Sequence, residues 1–284
     1  MTTDSPTLAF TSYGSQDPAA EVVLAIHGIT SNGRAFPFVG DLLPSFRVIA
    51  PDLRGRGRSA DLPGPFGLRR HAEDLAALLD AEGVSSAIVA GHSMGAFVAV
   101  ELAALRPDLV ERLVLVDGGL PLDLPPGATI ADLAKLLGPA ADRLSMEFAT
   151  PEAYVDLWRA HPALVDDFTS EVEAYARYDL AGSAPQLRSS ALAAAMLEDG
   201  AQLYGPDWYL EHLRGLRAPT TVLRAPRGLL NTDPLYPAGA LESFADLVPQ
   251  LQVVEVADVN HYTIVMSERG AVAVAAVVNK GASL

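Results

Sequence analysis

The chain has no cysteine, which removes disulfides, thiol nucleophiles and thiolate metal sites from consideration. Positive charge is scarce as well. Against 35 acidic side chains stand 20 lysines and arginines, a formal charge of −15, and without a basic footprint neither nucleic acid nor an anionic membrane surface fits as a partner. The longest apolar run, Ala271 to Val278, has eight residues, too few to span a bilayer. Met1 to Pro6 has neither the basic nor the apolar segment of a secretory signal. Together these absences predict a cytoplasmic protein. What the chain does have is length and apolar content, 284 residues with half of them apolar, enough for a large core in one domain that carries an insertion.

Gly91-His92-Ser93-Met94-Gly95 is the most informative stretch. It follows the apolar, β-branched run Ser85 to Ala90 and precedes the helix formers Ala96 to Leu105, so its context is strand, sharp turn, helix. A serine at the tip of such a turn adopts a strained backbone, and only small neighbours let strand and helix approach, hence glycines two positions either side. That geometry exposes Ser93 as a nucleophile.

The flanking chain alternates strands and helices. Thr7 to Thr11 reads as an opening strand, and Val22 to Ile26, wholly apolar, as a strand covered on both faces. His27-Gly28-Ile29 follows, where Gly28 lets the chain turn and aim backbone N–H groups outward; ahead of a nucleophile turn this is the expected second half of an oxyanion hole. The donors are then the backbones of Ile29 and Met94, with His27 bracing the loop. Arg47 to Ala50 is another strand, followed by Asp52-Leu53-Arg54-Gly55-Arg56-Gly57-Arg58-Ser59. Its arginines invite a phosphate reading, but the spacing fits neither a Walker loop nor a dinucleotide turn, and a structural turn is expected. Leu68 to Glu82 is an amphipathic helix with Leu68, Leu75, Leu78 and Leu79 on one side and Arg69, Arg70, Glu73 and Asp74 on the other. Leu113 to Val116 is a strand ending at Asp117. After the middle of the chain, Pro219 to Leu223 returns to strand, Ala238 to Val248 reads as helix, Leu251 to Val256 as a last strand and Ser267 to Lys280 as a closing helix. Such alternation implies right-handed βαβ units and a parallel sheet.

The order His27-Gly28, then Asp52 to Ser59, then Gly91 to Gly95, then Asn260-His261-Tyr262 resembles the α/β-hydrolase fold family over nearly the whole chain apart from its middle. The family more often has histidine where this chain has Arg56. The resemblance implies an α/β fold, a mostly parallel doubly wound sheet with an inserted helical cap: residues 1–119 and 215–284 form the core and 120–214 the cap. Asp123 to Gly127 is a proline-rich entry to that interval, Thr150-Pro151 begins a helix well, and no strand is evident there. Of the interval's aromatics, Trp158, Tyr154 and Trp208 are the expected pocket residues. His161 and His212 read as surface or core.

His261 lies after the final strand, where the fold brings a loop over the nucleophile, and is the expected general base. A carboxylate must orient it. Asp233, 28 residues before His261, resembles the family's usual acid position, although the loop Ala225 to Thr232 is long for the family. Asp117, 24 residues after Ser93, stands at the position some members use instead. Asp233 is favoured and Asp117 is the alternative. The resemblance implies a serine hydrolase cleaving a carboxylic ester or related acyl bond of a small to medium apolar substrate through an acyl-enzyme on Ser93, with no metal and no organic cofactor. A serine nucleophile argues against the dehalogenases and epoxide hydrolases of this fold, which use aspartate. Carbon–carbon bond hydrolases, lactonases, thioesterases, acyltransferases, cofactor-free haloperoxidases and a ligand receptor that retains the triad remain alternatives.

Overall fold

The computed structural model describes residues 7–124, 127–129, 132 and 138–279. The amino-terminal Met1 to Pro6, the prolines within the expected linker at 123–127 and Lys280 at the end of the closing helix lie outside the described residues. The strands are β1 (Phe10–Gly14), β2 (Val22–Ile26), β3 (Arg47–Pro51), β4 (Ala87–His92), β5 (Val110–Val116), β6 (Leu180–Ala181), β7 (Arg188–Ser189), β8 (Thr220–Arg224) and β9 (Leu251–Glu255). Seven of them form one sheet in the order β1-β3-β2-β4-β5-β8-β9. Only its β1 edge runs antiparallel, with Phe10 opposite Pro51 and Gly14 opposite Arg47; β2, β4, β5, β8 and β9 pair in parallel with their neighbours.

The sheet is covered on both faces, which is why β2 is apolar throughout rather than alternating. Along β2, Val22, Leu24 and Ile26 join a core that includes Leu75, Leu79, Phe97 and Val100 from the helices Leu68–Ala81 and Met94–Leu105. Val23 and Ala25 face the opposite core, with Val274 and Val278 of the closing helix Glu268–Asn279. This is the period-2 pattern of a pleated strand. On Leu68–Ala81 the four leucines are buried as expected, but Asp74 is buried too, because it receives both Nε and Nη2 of Arg54 at 2.8 Å.

Between β5 and β8 the described chain adds nothing to the main sheet. It supplies helices, among them Pro151–Arg159, Ser170–Tyr178, Ala193–Gly200 and Asp207–Gly215, and a small ribbon, β6 against β7, that the sequence did not reveal because each strand has two residues. The expected helix over Ala238 to Val248 is reduced to a 3₁₀ turn, Ala240–Phe244, entered through Gly239 in the left-handed region. Among the described residues no helix is long and apolar enough to cross a membrane.

β4 delivers Ser93 at φ 54°, ψ −125°, directly before the helix Met94–Leu105. The glycines around it are demanded by contact. A Cβ on Gly95 would stand 2.2 Å from the Ile26 carbonyl oxygen, and one on Gly91 2.3 Å from that of Gly95. Gly95→Ala is therefore expected to destabilise the fold by about 3 kcal/mol, since backbone cannot yield as a side chain does. Gly83→Ala is the comparison: its φ is +69° but nothing lies within 4 Å, and its cost should stay near 1 kcal/mol. Urea unfolding followed by circular dichroism measures both.

Candidate active site

Three loops at the carboxyl ends of β2, β4 and β5 meet at Ser93. After β2 the chain is braced by His27, buried completely. Its Nδ1–H donates to the Gly28 carbonyl at 2.8 Å and its Nε2 accepts from the Leu53 N–H at 3.0 Å, which fixes the tautomer because a carbonyl can only accept. Burial, with Arg56 nearby, lowers its pKa to about 3. Gly28 lets this loop reach Ser93: a Cβ there would lie 3.1 Å from Ser93 Cβ and 3.5 Å from its Oγ. The N–H groups of Ile29 and Met94 donate to no acceptor among the described residues. For Met94 the reason is its place in the first helical turn, where no intrahelical acceptor exists.

The carboxylate beside His261 is Asp117, not the favoured Asp233. Asp117 Oδ2 accepts from His261 Nδ1–H at 2.6 Å, and both residues are buried. Asp117 directly follows β5 with φ 46°, its N–H donating to Leu223 O at 2.7 Å and its Oδ1 accepting from Ala225 N–H at 3.0 Å, so the strand pair β5–β8 aims the side chain. Asp233 is exposed and lines an adjoining outer cleft with Leu230 and Thr232, not the cavity that Ser93 and His261 border. The long loop after β8 carries it past the site. With Nδ1 engaged, His261 keeps Nε2 as its free acceptor. His261 and Ser93 border one cavity, and Ser93 Oγ makes no hydrogen bond to a described residue.

The His261 loop is held from two sides. Asn260 Oδ1 accepts from the N–H groups of Tyr262 and Thr263, each at 3.0 Å. His92 Nε2–H donates to the His261 carbonyl at 2.8 Å, with the two rings 4.7 Å apart. Burial, then the neighbouring His261, keeps His92 neutral by holding its pKa well below the usual imidazole range. His92 sits inside the nucleophile motif, and the sequence had no signal for this second task.

The cavity encloses about 860 Å³ of empty space, open to solvent. Ile29, Leu122, Leu203, Leu235 and Met266 make it apolar, and Tyr175, Tyr204 and Tyr262 supply its aromatic rings. The three aromatics expected there lie elsewhere. Tyr154 and Trp158 are buried inside the interval between β5 and β8, in edge-to-face contact with each other. Trp158 also walls a neighbouring cleft beside Arg143 and His161. Trp208 is 37% exposed on the outer side of Asp207–Gly215, because Tyr209 takes the inward position and donates to Gly119 O at 2.8 Å. Aromatic spacing alone did not say which helix face turns inward.

The arginine-rich turn is structural, as expected. Arg54 pairs with Asp74, Arg56 with the buried Asp199, and Arg58 lies over the Tyr178 ring. His212 meets Glu101 at 2.6 Å. Among the described residues no three His, Asp or Glu side chains converge as a metal-ligand set.

Comparison with known proteins identifies the fold family. The sequence profile of the alpha/beta hydrolase fold family matches residues 21–266. Lipase LipV of Mycobacterium tuberculosis is 38% identical over 146 residues, 51% of this chain and 54% of the lipase, so the match spans about half the length of each. The 2-(acetamidomethylene)succinate hydrolase of Mesorhizobium japonicum is 29% identical over 242 residues, 85% of this chain and 81% of that protein. Among solved structures, E-2-(acetamidomethylene)succinate hydrolase superposes with a TM-score of 0.76 at 27% identity, covering 97% of this chain and 95% of that one. The thioesterase domain from the curacin biosynthetic pathway gives 0.74 at 25% identity, covering 95% and 94%.

The position of Asp117 yields a direct expectation. Asp117→Asn should lower hydrolytic turnover of an activated ester by about 10³- to 10⁴-fold, because the amide no longer holds the imidazole in its working tautomer. Asp233→Asn should leave turnover within about twofold, since the residue lies outside the Ser93–His261 cavity. Steady-state kinetics of the two variants separates the assignments.

Proposed function

Because the chain belongs to the alpha/beta hydrolase fold family, we propose that it is a serine hydrolase cleaving a carboxylic ester, or a related acyl bond, of a small to medium apolar substrate. The observation that carries this reading is the Asp117–His261 pair at 2.6 Å, facing the same cavity as a strained, unbonded Ser93. In the reaction His261 Nε2 takes the Ser93 proton as Oγ attacks the acyl carbon. The carbonyl electron pair moves onto oxygen, and the N–H groups of Ile29 and Met94 stabilise that charge. His261, held by Asp117, then protonates the leaving group, and a water deprotonated by the same nitrogen releases the acid.

We assign residues 120–214 as the cap of this site. Leu122, Ala140, Tyr175, Leu203 and Tyr204 of that interval border the cavity, so it shapes the apolar chamber over Ser93. An apolar lining selects acyl chains by the area they remove from water, about 25 cal/mol for each Å².

A graded series of p-nitrophenyl esters, from acetyl to lauroyl, tests the proposal. Turnover should show a chain-length optimum set by the chamber, and Ser93→Ala should lower kcat by at least about 10³-fold. Full ester hydrolysis by Ser93→Ala would sink the reading.

A further inference from the structure

The donor that would meet the oxyanion, Ile29 N–H, sits in a loop with little regular structure, between β2 and the short turn Gly33–Ala35. Its direction is set by peptide planes, because the carbonyl oxygen of one residue and the N–H of the next share a rigid plane and point opposite ways. The plane holding Ile29 N–H is anchored through Gly28 O, which accepts from His27 Nδ1–H at 2.8 Å and from Ser31 N–H at 3.2 Å. The next plane is anchored through Ile29 O, which accepts from Arg56 Nε at 2.9 Å. Beyond it Thr30 O accepts from Arg143 Nη2 at 2.9 Å, and Ser31 Oγ accepts from the Tyr175 hydroxyl at 3.1 Å.

The origin of these holders matters. Arg143 and Tyr175 both lie between β5 and β8. Arg56 belongs to the core, but the carboxylate that neutralises it is Asp199 of the same interval, 2.6 Å from Arg56 Nη2, with both side chains fully buried. Burial opposes ionisation of Asp199, yet Arg56 and His71 hold its pKa down to about 2. Arg143 is matched likewise by buried Asp179 at 2.7 Å, with Ser189 Oγ at 3.0 Å and the Trp158 ring beneath the guanidinium. Two buried ion pairs of this kind bring little net stability, since desolvation offsets attraction. What they provide is geometry: each guanidinium has one carboxylate to neutralise it and places a remaining N–H on a carbonyl of the Ile29–Ser31 loop.

We propose that the interval between β5 and β8 is a working part of the oxyanion hole: Arg143, Tyr175 and the Arg56–Asp199 pair are positioning residues that aim Ile29 N–H at the reacting oxygen. The inference rests on the serine-hydrolase reading and deepens it. Displacing the interval from the core would break the Arg143 and Tyr175 bonds and strip Arg56 of its carboxylate, so the loop is fully held only while the interval is seated.

The test separates oxyanion stabilisation from ordinary binding. An aryl trifluoromethyl ketone accepts Ser93 Oγ at its carbonyl carbon, the serine proton passing to His261 and the carbonyl pair to oxygen, which leaves a hemiketal oxyanion in the hole. The corresponding trifluoromethyl alcohol fills the cavity without forming one. Two variants are compared with the unsubstituted chain: Arg143→Met with Asp179→Asn, which leaves no unmatched buried charge, and Tyr175→Phe, which removes a hydroxyl from an otherwise intact ring. The double variant should raise the ketone Ki by about 10- to 100-fold and Tyr175→Phe by about 3- to 10-fold. In both, kcat should fall in parallel, while KM and the alcohol Ki stay within about twofold. Equal weakening of ketone and alcohol, or an unchanged ketone Ki in folded Tyr175→Phe, overturns the proposal. Should the double variant fail to fold, Tyr175→Phe decides alone. A ketone that does not inhibit the unsubstituted chain, with no serine-dependent ester turnover, removes the parent reading and this one with it.

Discussion

The closeness of two backbones, the end of β2 and the start of the helix Met94–Leu105, is the constraint on which the rest depends. With a Cβ on Gly95 only 2.2 Å from Ile26 O, the helix cannot dock unless that position is glycine. That docking forces Ser93 into a positive φ that serine otherwise avoids. The strain holds the side chain clear of its own helix and faces it toward Gly28. The same closeness presses Gly118 against the serine backbone, where a Cβ would meet Ser93 O at 2.2 Å. The ends of β2, β4 and β5 are thus locked at one point before any catalytic side chain is placed.

Around that point the polar groups are arranged with few degrees of freedom. His27 and His92 are buried and kept neutral, each tied to a loop carbonyl through one ring nitrogen. His261 differs in its partner, which is the carboxylate of Asp117 rather than a carbonyl. Three imidazoles within one site therefore take distinct tasks through what they bond and how far they are desolvated. The guanidiniums of Arg56 and Arg143 extend the same economy to the loop after β2, where they hold the Ile29 and Thr30 carbonyls.

Much of this was legible in the residues. The wholly apolar β2 strand, Ser93 between paired glycines and His261 after the last strand each have local causes, and local causes leave sequence patterns. The acid did not. Asp117 and Asp233 both follow a strand at acceptable spacing, and only the packing of β5 beside β8, with the Ala225 N–H on Asp117 Oδ1, decides which one reaches the imidazole. The pocket aromatics failed for a similar reason: Tyr154, Trp158 and Trp208 recur at helical spacing, yet helix rotation turned the first two into the interval and the third outward, and left Tyr175 and Tyr204 at the cavity. Asp74 looked like a solvated helix residue because its partner, Arg54, lies 20 positions earlier in a turn. Long-range partners are what a single sequence conceals.

The most direct measurement is covalent labelling with a fluorophosphonate, read by peptide mass spectrometry and by the rate of label uptake. The account predicts one label per chain, on Ser93, with uptake slowed by about 10³-fold or more in folded His261→Ala, because a serine without its base is a weak nucleophile. A label on another residue, or an uptake rate unchanged by loss of His261, would contradict it.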